Sequence, residues 1–198
     1  LAIFGEGVNY QSEQEILNQH DDISLTSLAT VTKKELNAIL RQEKEAYDIL
    51  FFAGHSKTNS DGKGGVIYLS ETEKLTVSEI RESLEIALKK GLKLAIFNSC
   101  DGLGLAQQLG EGQKLYLPQI IVMREPIADS LAPQFLDYFL TYYSQGYSLY
   151  TALKQGRKKL KELEDKYPCG SWLPVIIQNP GETPPKWNDL GYHPTDIC

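Results

Sequence analysis

Residues 47–56 read YDILFFAGHS and residues 92–102 read LKLAIFNSCDG. Each carries a continuously apolar run, ILFFAG in one and LAIF in the other, and ends in polar residues. Successive side chains of a strand point to opposite faces, so a run that is apolar throughout marks a strand covered on both sides. The runs QIIVM (119–123) and LPVIIQ (173–178) have the same character. Strands are therefore expected at 23–30, 47–53, 92–98, 119–123 and 172–178, after a first buried strand at 1–4. Together they make a central, largely parallel sheet.

Helical patterns fill the intervals. Thr32 is followed by Glu35, and Thr76 by Glu79, the spacing of a capping box. Leu36, Ile39 and Leu40 form one apolar stripe behind the first of these boxes. Val77, Ile80, Leu84 and Leu88 form another, stopped by Gly91. Leu131, Phe135, Phe139 and Tyr143 mark a third helix ending at Gly146, and Leu149, Leu153, Leu160 and Leu163 a fourth that opens at Ser148. Strands alternating with helices predict an α/β fold with helices on both faces of the sheet. The Gly-rich stretch 56–65 reads as a surface loop, followed by a short hairpin arm at 66–69.

The chain has 198 residues, 41% hydrophobic and 23% charged, a size and composition that one core serves. The expected domain spans 1–180, with a start that reads as cut from a longer chain. A proline-containing tail follows at 181–198. A net charge of −6 has the wrong sign for a module that binds phosphate backbones, so nucleic acid is not an expected partner. No run reaches the roughly 18 apolar residues of a membrane span, so no membrane partner is expected either. Three widely spaced cysteines fit a reducing compartment, and a cytoplasmic location is expected. With no CxxC and no HExxH, no metal is expected.

In an open parallel sheet, function gathers just past the carboxyl ends of the strands. Two such ends are GHS at 54–56 and NSCDG at 98–102. If those strands are neighbours, His55 and Cys100, 45 residues apart, stand side by side. A thiol titrating near 8.5 needs help to ionise at neutral pH. His55 is one aid, and the N-terminus of a helix read from LGLAQQL is another. Backbone N–H groups of Ser56 and Cys100 would then form an oxyanion hole. A plainer reading stands beside this one, since cysteine is among the most buried residue types and a single histidine is usually structural.

Past the strand at 119–123, Glu125 and Asp129 emerge at the same edge. Asp129 reads as a helix N-cap, as a carboxylate at the base of a specificity pocket, or as both, since the two roles are not exclusive. Cys169 reads as a packing residue, Trp172 as core, and His20 and His193 as polar-segment residues without a partner.

FFAGHS followed by LAIFNSCDG resembles the His and Cys motifs of the caspase-like, clan CD cysteine peptidases, in particular the separase-related CHAT domains. PQIIVMREPIADSLAPQFLDYFL, GYSLYTALKQGRKKL and PCGSWLPVIIQNP are similar to the later part of such a domain, so the resemblance covers about residues 1–180. It implies a caspase-like three-layer sandwich and hydrolysis of protein substrates without a cofactor. Cys100 would be the nucleophile, forming a thioester, and His55 the base and acid. Ser56 stands where many relatives carry glycine, at a position that contributes its N–H. By resemblance to separases, Asp129 would select Arg or Lys before the scissile bond, and flanking domains would regulate the site. Two alternatives are a catalytically silent interaction module of the same fold and a nucleotide-binding domain. The second lacks both GxGxxG after the first strand and GxxxxGK[ST].

Overall fold

The computed structural model describes residues 1–60, 64–99, 102–110 and 117–191. In chain order they form β1 (Ala2–Phe4), α1 (Gln11–Asn18), β2 (Ser27–Ala29), α2 (Lys33–Arg41), β3 (Ile49–Thr58), β4 (Gly65–Tyr68) and β5 (Lys74–Thr76). There follow α3 (Val77–Lys89), β6 (Leu94–Ser99), α4 (Leu103–Gly110), β7 (Gln119–Met123), α5 (Ala132–Ser144), α6 (Leu149–Lys161) and β8 (Pro174–Gln178).

The main sheet runs β2-β1-β3-β6-β7-β8. All neighbours are parallel except β7 and β8, which are antiparallel. The apolar runs explain why this sheet has two covered faces. Along β3, Leu50 and Phe52 point into one core while Phe51 and Ala53 point into the other. Along β6, Ala95 and Phe97 alternate in the same way with Leu94 and Ile96. The first core is closed by Leu36 and Leu40 of α2, Ile80 and Leu84 of α3, and Leu105 and Leu109 of α4. The second is closed by Leu17 of α1, Phe135 and Phe139 of α5, and Leu149 and Leu160 of α6. Each such side chain, fully buried, contributes roughly 1.5–3 kcal/mol. The result is the expected three-layer α/β sandwich.

The helix signals hold. Thr32 Oγ1 accepts from the Glu35 N–H, while the Glu35 carboxylate accepts from the Thr32 N–H at 2.8 Å. The Glu79 carboxylate likewise accepts from the Thr76 N–H at 2.8 Å. Ser148 Oγ accepts from the Thr151 N–H at the start of α6. Gly91 and Gly146 take positive φ at the ends of α3 and α5.

Several sequence expectations need correction. The strand read at 23–30 is β2, only Ser27–Ala29, because β1 offers it only three partners. The strand read at 172–178 begins at Pro174. Trp172 lies in a helical turn before it and is 61% exposed, with the Arg157 guanidinium 6.0 Å from its ring centroid. Cys169 is an exposed free thiol at φ 63°, and packs no core. Helix α1 carried too few apolar residues to be read at all. Among the described residues beyond Pro180 there is no strand, yet Trp187 is buried against Tyr143, and the Tyr143 hydroxyl donates to the Pro185 carbonyl at 2.8 Å. His20 packs its ring against Trp187 at 6.0 Å, so it does have a partner. His193 and Cys198 lie outside the described residues.

Candidate functional site

The strands β3 and β6 are adjacent and parallel, the condition set by the two strand ends, with Ala53 beside Asn98 and Gly54 beside Ser99. Beyond Gly54 the two part. β3 runs on through His55–Thr58 and pairs antiparallel with β4, with His55 opposite Tyr68. His55 is therefore held on a strand rather than in a loop, and it is exposed. The next side chain faces the other way: Ser56 is buried, and its Oγ lies 2.8 Å from Ser99 Oγ. On the outer side, a Cβ built on Gly7 would stand 3.6 Å from His55 Nε2. Gly7, at φ +83°, thus brings the turn after β1 against the imidazole without a side chain between them.

Cys100, like Asp101, lies outside the described residues. Its described neighbours are well tied. Ser99 carries the hydroxyl bond to Ser56, and the Gly102 N–H donates to the Met123 carbonyl at 3.1 Å. Helix α4 starts one residue later, so its N-terminus and the positive end of its dipole open at this edge of the sheet. Its first turn is seated tightly. The Gly104 N–H donates to Thr58 Oγ1 at 3.1 Å, and a Cβ on Gly104 would collide with the Gly64 carbonyl oxygen.

Asp129 sits in the segment between β7 and α5 and is exposed, as is Glu125. It does not cap the helix. The N-cap position of α5 is Leu131, which makes no side-chain capping bond. Instead Asp129 lines a small cavity of about 20 Å³ with Glu13, Ala53, Gly54, Asn98 and Ser99. With Asn9, it also lines an open groove of about 630 Å³ alongside α1 and the start of α5. The groove and the cavity thus share Asn9 and Asp129.

Glu13 escaped the sequence reading. It belongs to α1 and is 5% exposed. Burial pushes its carboxyl up to about 7, with the charge of Asp129 adding to the effect and a hydrogen bond to its own backbone opposing it. Among the described residues its Oε2 has no hydrogen-bond partner, and neither has Oδ1 of Asn98. The available signal was spacing: Tyr10, Glu13 and Leu17 recur at helical intervals, which puts an acid on an otherwise inward stripe.

A larger cavity, about 650 Å³, lies at the opposite edge of the sheet, around the starts of β1 and β3 and the Trp187 indole. It holds none of the residues singled out from the sequence. Among the described residues no group of three or more His, Cys, Asp or Glu stands where it would hold a metal ion. No helix among them is long and apolar enough to cross a membrane.

A mostly parallel sheet between helical layers is consistent with a caspase-like α/β domain. The chain belongs to the CHAT domain family, which matches residues 11–187 and is related to the cysteine peptidases. No curated protein matches the chain.

Proposed function

We propose that the domain is a cysteine endopeptidase acting on protein substrates, with Cys100 as nucleophile and His55 as general base and acid. The observation that carries this reading is the register of β3 on β6. Gly54 and Ser99 are paired, and His55 and Cys100 are the residues that follow them. Ionised Cys100 attacks the scissile carbonyl carbon. As the C–N bond breaks, His55 gives its proton to the leaving amine and a thioester remains. His55 then takes a proton from water, whose oxygen attacks the thioester and releases the acid and the Cys100 thiolate, which restores the starting thiolate and protonated His55. Backbone N–H groups of Ser56 and Cys100 receive the oxyanion. The Ser56 hydroxyl is turned inward to Ser99, so it is the backbone of Ser56 that serves. Asp129, at the mouth of the cavity, favours a cationic residue before the scissile bond through a charge-assisted hydrogen bond.

Two measurements on the same preparation test this. At neutral pH an alkylating reagent should modify Cys100 much faster than Cys169, the exposed free thiol that serves as internal standard. Cys100→Ala should abolish cleavage of a protein substrate and leave the fold intact. Equal labelling of the two thiols, or cleavage surviving in Cys100→Ala, would instead favour an interaction module that keeps the fold without the chemistry.

A further inference from the structure

The small cavity beneath the candidate site has oxygen-bearing side chains, Glu13, Asn98 and Asp129, on three of its walls. Asn98 is 3% exposed and donates through Nδ2 to the Ala132 carbonyl at 3.1 Å, which fixes the orientation of its amide and turns Oδ1 away from that carbonyl. Both Asn98 and Glu13 line the cavity, and each carries a buried oxygen without a partner among the described residues. The third oxygen-bearing wall is the Asp129 carboxylate, at the junction with the open groove. Buried acceptors without donors are costly, so native folds seldom keep them idle. A group that satisfies all three must donate several hydrogen bonds. Positive charge suits it, because two of the walls, Glu13 and Asp129, are acids.

We propose that Glu13, with Asn98 and Asp129, forms the receptor for the charged tip of a cationic substrate side chain, with Glu13 as its floor and Asp129 as its mouth. This assignment rests on the peptidase reading and deepens it, since it names the residue that closes the pocket below Asp129. The cation enters from the groove between α1 and α5 and passes Asp129. As it reaches Glu13 the carboxyl releases its proton to solvent, so the buried acid and the incoming cation become charged partners together. Below about pH 7 the raised carboxyl keeps its proton in the empty pocket, and above it the cation meets a carboxylate that is already charged. Discrimination arises because a neutral side chain would displace whatever solvates these oxygens without replacing its hydrogen bonds.

The test uses the whole chain and two readouts. In the first, the carboxyl carbon of Glu13 is followed by NMR through a pH titration, alone, with n-butylamine as the cationic probe, and with n-butanol as its neutral counterpart. Linkage requires butylamine to move the Glu13 titration downward, by about one pH unit near saturation, with butanol leaving it in place. In the second, Glu13→Gln should lower kcat/KM for a peptide with lysine before the scissile bond by about 10–100-fold, and barely change it for the norleucine peptide. A Glu13 titration indifferent to butylamine, as expected for a site that holds a water only, overturns the assignment. So does an unchanged lysine-to-norleucine ratio in Glu13→Gln. If the wild-type chain cleaves no peptide at all, the peptidase reading falls, and the butylamine titration still decides the pocket.

Discussion

The hydroxyls of Ser56 and Ser99 lie 2.8 Å apart inside the domain, one carried by β3 and the other by β6. Their bond ties Ser99, the register partner of Gly54, to Ser56 two residues further along β3, where β3 leaves the main sheet to join β4. There it joins the residue after His55 to the residue before Cys100.

A double-mutant cycle on this pair should show coupling. Each of Ser56→Ala and Ser99→Ala removes the bond and should cost about 1 kcal/mol in urea unfolding, and the double variant should cost less than the sum by about 0.5–1.5 kcal/mol. Strict additivity would mean that the two hydroxyls do not hold the strand ends together.

The proposed role of His55 makes a separate demand. If the imidazole supports the Cys100 thiolate, His55→Ala should slow alkylation of Cys100 at pH 7 by about tenfold and move its pH profile toward the 8.5 of a free thiol. Alkylation of Cys169 should be unaffected, since that thiol lies elsewhere on an exposed turn. An unaltered profile for Cys100 would remove His55 from the mechanism.

What the sequence made legible was the sheet. ILFFAG, LAIFN and QIIVM are apolar on both faces, and only a doubly covered strand tolerates that, so the layers could be read, while the adjacency of β3 and β6 stood as a condition that the register meets. What it hid were elements whose identity depends on neighbours. HSKT at 55–58 is too polar to announce a strand, and becomes one because β4 returns to pair with it. Trp172 looks like core by type, yet the turn before β8 places it outside. Asp129 has the composition of a cap, but α5 begins too late for it to serve as one. Glu13 was hidden for the opposite reason. An acid among Gln, Ser and Glu reads as surface, and only the packing of α1 on the second core turns it inward.

That inward acid should leave a mark on stability. Glu13 titrates at about 7 in the folded protein against an ordinary 4.5, so between these values the native state holds a proton that the unfolded chain has already released. Stability contributed by the protonated carboxyl is therefore present at pH 4.5 and below. It is lost as the pH rises, and the loss is complete above about 7. A difference of this size corresponds to on the order of 3 kcal/mol. Glu13→Gln has the shape of the neutral acid, so relative to wild type it should gain about 2–3 kcal/mol at pH 8 and almost nothing at pH 4.5. Urea unfolding of both proteins at the two pH values checks this. A variant weakened equally at both would make Glu13 an ordinary structural hydrogen-bonding residue.

The dimensions of the cavity bear on which cation it prefers. About 20 Å³ is room for one water-sized group and little more. The ammonium of lysine is such a group, a compact charge with three donors that can be shared among Glu13, Asn98 and Asp129. A guanidinium is a plane of four heavy atoms with donors in a fixed fork, matched to a single carboxylate rather than to acceptors on three walls. Arginine would have to stop at Asp129, at the shared mouth of cavity and groove, and leave Glu13 and Asn98 unserved. Peptides differing only in lysine or arginine before the scissile bond should therefore differ in kcat/KM by about tenfold in favour of lysine, equivalent to about 1.4 kcal/mol. In Glu13→Gln the two should converge, because the variant loses the contact that only lysine reaches. Arginine cleaved faster than lysine in the wild type would show that the walls between α1 and β3 draw apart when substrate binds, and that Asp129 alone sets the specificity.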